Sequence, residues 1–227
     1  MPAASRDTLP PYASGAARLG LLYRLALAGT EQHVLVVSES PFAATAIVAA
    51  NPEAAVDVIA PGAAAPRAAY DAVFVPGLAA GGACRANRSL SQQLLAARAW
   101  LVPGGVLAGD AAHLCSLRGV ADAMRLRTGP LSWLRGAACA SPPVCRRTLA
   151  RCGLADVECY YVEPDIDSPL VLVPDHREVA RRHFLRAVRR TRGRHRGPGY
   201  LARLALAAAG LGGQMQRQLF FRARRPC

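Results

Sequence analysis

Strand and helix signals alternate along this chain, and the alternation predicts an α/β fold: a doubly wound, mostly parallel sheet with helices on both faces and a basic helical C-terminal extension. Three observations carry the prediction. Short β-branched runs recur at His33–Ser38 (HVLVVS), Val56–Ala60 (VDVIA) and Asp71–Val75 (DAVFV), without the polar alternation of a half-exposed strand. Pro61-Gly62 and Pro76-Gly77 end two of these runs as turns. Apolar residues at helical spacing separate the runs, and a chain of 227 residues that is 52% hydrophobic can bury the core such a sheet requires.

Residues 1–15 are Pro-containing and expected to be mobile. Ala16–Ala28 places Leu19, Leu22, Leu25 and Leu27 among Arg18 and Arg24, which predicts a short amphipathic helix. The run at His33–Ser38 leads into SESPFAATAIVAANP, a loop and then a helix. Ser89 is an N-cap for a helix reaching Leu101, Pro103-Gly104-Gly105 break it, and Val106–Ala108 follows as a strand. Residues 109–140 carry no comparable strand signal. Pro142-Pro143 precede a helix over Val144–Arg151 that closes at Cys152-Gly153, and Val157–Val162 is the next strand. Leu170–Val173 predicts a short strand, Arg177–Arg190 a basic helix, Thr191–Gly199 an exposed linker, Tyr200–Leu211 an apolar helix and Met215–Ala223 a final edge strand. The organisation expected is a Rossmann-like domain over 16–174 and a basic helical tail over 175–227 that returns a last strand near 217–223 to the sheet.

All 28 basic residues are arginine, which with the heavy alanine content points to a coding bias and weakens any argument from arginine abundance alone. Their distribution says more. Residues 1–174 hold 14 Arg against 13 acidic residues, whereas 175–227 hold 14 against 2, so the net charge of +13 resides almost entirely in the tail. Such a tail attracts an anionic partner. Residues 177–211 pair a basic segment with a nearly uncharged one, which favours an anionic membrane surface, while the scarcity of interleaved aromatics makes nucleic acid the weaker expectation. Seven cysteines without a C-x-x-C pair read as reduced thiols, and with no signal pattern and no long apolar run the expectation is a cytoplasmic protein, peripheral to a membrane.

Four segments in order resemble the class I S-adenosylmethionine-dependent methyltransferase family over residues 30–160. His33–Ser40 stands at the family's first strand and glycine-rich loop, and Tyr70–Val75 resembles its "FD-x-V" fourth strand. Leu101–Leu107 (LVPGGVL) resembles the "LKPGG" turn into the fifth, and Thr148–Glu158 the "LL-x-x-AGF-x-x-V" segment before the sixth. The resemblance implies S-adenosylmethionine as cofactor, bordered by Ser38, Glu39, Ser40, Pro61, Pro76 and Gly77, and methyl transfer to a small or lipid-linked acceptor. Ser38 and Ser40 stand where the family loop uses glycine, and the second strand ends in Ala60-Pro61 where the family has an acid for the ribose, Asp57 lying three residues earlier. Two functional readings follow: an active methyltransferase, favoured by the scaffold motifs, and a catalytically silent relative that binds a membrane or a partner through its tail.

Asp110 and His113 follow the fifth strand of that scheme, three residues apart, where a base could take a proton from an acceptor hydroxyl; Asp110 could equally cap a helix. Glu163, Asp165 and Asp167 form a D-x-D-like group in a Pro-containing loop, a pattern common by chance, and no metal is expected. A nicotinamide-dependent oxidoreductase is disfavoured, because S-E-S-P-F-A lacks the G-x-G-x-x-G turn and a chain without lysine has no Tyr-x-x-x-Lys.

Overall fold

A computed structural model of the chain describes residues 31–38, 43–66, 69–75, 90–112, 141–163, 171–190, 198–216 and 218–227. The expected mobile start and the helix over Ala16–Ala28 lie outside the described residues. The strands are β1 (His33–Val37), β2 (Ala55–Ile59), β3 (Tyr70–Val75), β4 (Leu101–Ala112), β5 (Ala155–Glu163), β6 (Val171–Pro174) and β7 (Gln218–Arg224). The helices are α1 (Ala43–Ala50), α2 (Leu90–Trp100), α3 (Pro142–Arg151), α4 (Arg177–Arg190) and α5 (Pro198–Ala208), with a 3₁₀ turn at Gly212–Met215. The strands form one sheet in the order β2-β1-β3-β4-β7-β5-β6.

The sheet is mixed. β2, β1, β3 and β4 are parallel to one another, but β7 lies antiparallel between β4 and β5, and β6 is antiparallel to β5. The expectation of a mostly parallel sheet therefore holds for one half only. The expected edge strand at the C-terminus is also corrected, because β7 is interior. Leu219, Phe220, Phe221 and Ala223 are fully buried on alternating faces, which requires sheet neighbours on both sides and cover above and below.

Apolar runs without alternation explain the central strands, since Val34, Leu35, Val36, Ala72, Val73 and Phe74 all have no exposed surface. On one face Leu35, Val73, Leu107, Phe221 and Cys159 pack with Leu94 and Ala97 of α2 and Cys145 and Leu149 of α3. On the other, Val34, Val36, Phe74, Ala108, Phe220 and Val162 form a cluster that includes Ile47 of α1. Ala180, Phe184 and Val188 of α4 and Ala207 of α5 join Tyr161, Val173 and Leu219, so both C-terminal helices cover the sheet. Gly212 and Gly213 permit this contact: a Cβ on Gly212 would fall 2.5 Å from Phe184 Cβ, and one on Gly213 would fall 2.1 Å from the Tyr161 ring.

The Pro103-Gly104-Gly105 segment does not separate helix from strand, because β4 already starts at Leu101 and runs on to Ala112. Tyr70 pairs with Leu101 and Ala72 with Val106, so residues 102–105 bulge out opposite Asp71. Gly104 takes a left-handed φ of +80° there, and the Gly104 N–H donates to Arg225 O while the Arg225 N–H donates to Gly105 O, tying the bulge to the end of β7. Helix α3 begins at Pro142 rather than Val144, as suits prolines in a first turn that needs no N–H partners. It ends with the Gly153 N–H donating to Ala150 O and the Leu154 N–H to Leu149 O, around Gly153 at φ +75°.

Candidate functional site

The strand after β1 lies on one side of it and β3 on the other, so the connections leaving the carboxyl ends of β1 and β3 diverge, and in an open α/β sheet this is where a crevice forms. The register locates the candidate residues relative to it. Val37 pairs with Ile59, Val36 with Phe74 and Phe74 with Ala108. Ser38, one residue past β1, and Asp110, one residue past the Gly109 that pairs with the last residue of β3, therefore both stand at the carboxyl edge of the parallel strands. Pro61 stands two residues past β2 at the same edge, in a turn closed by the Ala63 N–H donating to Ala60 O.

Alternation places Asp110 on the same face as Ala108, which packs with Phe74 and Phe220, and Ser38, if it continues β1, joins Val34 and Val36 there. Asp110 is a strand residue paired with Phe220 and only 3% exposed, so the helix-cap alternative is corrected. The physical reason is that β7 extends the ladder of β4 as far as Ala112. Phe220 lies between Phe74 and Tyr160, with ring centroids 6.1 and 6.5 Å away, and gives this face an aromatic floor beside Asp110. Glu39, Ser40, Pro76, Gly77 and His113 lie outside the described residues.

The polar groups near the candidate cofactor end have structural duties. The Ser38 N–H donates to Ile59 O at 2.9 Å and closes the β1–β2 ladder. Asp57 accepts a hydrogen bond of 2.8 Å from the hydroxyl of buried Tyr70. It sits at the level of Leu35, two residues short of the end of β2, and is not a ribose ligand at the sheet edge. Asp71 accepts from the Gln32 and His33 N–H groups at 3.0 and 2.8 Å and fastens the amino end of β1, opposite the crevice.

A second polar cluster lies across β5. Asp175 accepts from Tyr161 Oη at 2.8 Å and pairs with Arg146 at 2.9 Å, joining α3, β5 and the start of α4. Burial, and then the charge of Asp175, hold the Tyr161 phenol well above its ordinary value. Burial and the hydrogen bond to Glu158 push Tyr160 up to about 12. A hydrogen bond with Cys145 lowers the Cys159 thiol against the opposing effect of burial, with the Arg146 charge adding to the lowering. Glu163 pairs with His183 of α4, while Asp165 and Asp167 lie outside the described residues. Sequence reading missed Gly109, where a Cβ would fall 2.5 Å from Val75 O and 2.9 Å from Phe221 Cζ beside Asp110; a lone glycine in an apolar run was its signal.

The sequence matches no protein-family model and no curated protein. The fold is that of class I S-adenosylmethionine-dependent methyltransferases. A solved S-adenosylmethionine-dependent methyltransferase from Archaeoglobus fulgidus is similar with a TM-score of 0.53 at 11% identity, covering 94% of each chain. A second, from Thermotoga maritima and described as a possible histamine N-methyltransferase, has a TM-score of 0.51 at 10% identity and covers 94% of this chain and 90% of its own.

Proposed function

We propose that this chain transfers a methyl group from S-adenosylmethionine to a small or lipid-linked acceptor, with the cofactor over the carboxyl ends of β1, β2 and β3. One observation carries the reading: Ser38 and Asp110 both stand at the carboxyl edge where the connections diverge, in a sheet whose fold is shared with methyltransferases. The described residues fit the group, since a buried carboxylate near that crevice suits a cationic ligand. The cofactor, when bound, supplies an electrophilic methyl on a sulfonium. Residues 38–40 border its amino-acid end, with Glu39 contributing negative charge, while Pro61, Pro76 and Gly77 border its nucleoside. Asp110, with His113, takes the proton from the acceptor hydroxyl or amine. Because β2 ends without an acid, ribose recognition falls to backbone groups and shape rather than to a bidentate carboxylate.

Calorimetric titration with S-adenosylmethionine and S-adenosylhomocysteine tests this. Micromolar binding that weakens in Glu39→Ala supports the reading and justifies an acceptor screen with Asp110→Asn as the inactive control. Absence of heat for both ligands would sink it. The chain would then be a catalytically silent relative, as the serines in the loop and the missing acid on β2 favour.

A further inference from the structure

We infer that α4 and α5 form a docking surface for an anionic phospholipid bilayer. The inference stands apart from methyl transfer, because neither helix contributes a residue to the β1–β4 edge.

α4 buries Ala180, Phe184 and Val188, and the opposite face of the helix carries Val179, Arg182, Arg186, Arg189 and Arg190. All five are exposed. The single acid of α4, Glu178, is already engaged by Arg181 and Arg182 at 3.6 and 3.0 Å, so it leaves the last turns uniformly positive. α5 packs Tyr200, Leu204 and Ala207 inward and holds one charged residue, Arg203. Its outward side presents Leu201, 62% exposed, with Leu211 just beyond the helix 48% exposed.

The two helices run antiparallel. Gly210, past the end of α5, lies against Arg177 at the start of α4, where a Cβ would be 3.2 Å from Arg177 Cγ. Leu211, the next residue, therefore sits beside the first turn of α4, and Leu201 lies at the other end of α5. Arginines that take phosphate groups, on a surface that also exposes leucines, match the interface of an anionic bilayer, where charge attraction and shallow apolar insertion add. A nucleic acid would use the arginines and leave the leucines in water. The exposed large apolar residues among those described include no aromatic side chain on which a base could stack.

The test is co-sedimentation of the full chain with vesicles of phosphatidylcholine alone and of phosphatidylcholine with phosphatidylglycerol. Binding is expected to the mixed vesicles only and to weaken as salt rises. The triple substitution Arg186→Gln, Arg189→Gln, Arg190→Gln should lower it roughly hundredfold, and the corresponding lysine triple should restore it. Leu201→Gln should lower it about tenfold. If the glutamine triple melts early, the salt series and the lysine triple decide. Equal binding to neutral vesicles, no vesicle binding, indifference to Leu201→Gln, or tighter binding to duplex DNA or RNA than to mixed vesicles would each overturn the inference. Vesicle binding without cofactor binding would retain it while removing the methyl-transfer reading.

Discussion

Gly109 stands one residue before Asp110, where β3, β4 and β7 are paired side by side, and replacing it with alanine tests whether this packing is as tight as the structure shows. The new methyl would fall 2.5 Å from Val75 O, 2.9 Å from Phe221 Cζ and 3.3 Å from Phe221 Cε1. The ring can turn aside, but Val75 O is backbone in the β3–β4 ladder and moves only if the two strands part. Overpacking of a rigid core costs about 1–3 kcal/mol, and a clash with backbone belongs at the top of that range. For a chain of this length about 3 kcal/mol corresponds to a fall in Tm of roughly 6–12 °C. Thermal unfolding followed by circular dichroism should show it. Because Asp110 is the next residue on β4, titration of the same variant with S-adenosylmethionine should also show weaker binding at temperatures where it remains folded. The double variant Gly109→Ala with Phe221→Leu should recover only part of the loss, because the Val75 contact persists. A single variant melting within about 2 °C of the parent, less than about 1 kcal/mol, would refute the close approach of the three strands.

Phe220→Ala should cost about 3–5 kcal/mol in denaturant unfolding, as expected for a fully buried aromatic in an interior strand and not for an edge residue. Tyr70→Phe, which leaves Asp57 without its buried donor, should cost about 1–2 kcal/mol in the same assay while cofactor affinity stays unchanged; a large loss of affinity would return Asp57 to the site. The raised phenols of Tyr160 and Tyr161 imply that the folded chain holds these protons more tightly than the unfolded chain. Their contribution to stability is full below pH 10, the ordinary phenol value, and is lost at higher pH, that of Tyr160 as pH rises through about 12. Phenolate absorbance should show two late-titrating tyrosines, and Tyr161→Phe should remove one of them.

Local elements and much of their order are legible in the residues alone. Runs such as HVLVV and DAVFV can satisfy their backbone and bury both faces only as interior strands, and α3 announced its ends through Pro142-Pro143 and Gly153. These signals lie within a few residues, where covalent geometry and side-chain volume act directly. Of the candidate site, the residues alone named Ser38 and Asp110, but not that both stand at one edge of the sheet, since that follows from the strand registers. The insertion of QLFFRAR between β4 and β5 emerges from strand pairing across the folded sheet, because edge and interior strands differ in their neighbours and not in their own residues. Only the folded chain gives Asp57 to Tyr70 and Asp71 to the amino end of β1, so that both acids serve the scaffold. A carboxylate carries the same charge wherever it stands in the chain, and its role depends on which donors the folded backbone brings within hydrogen-bond reach.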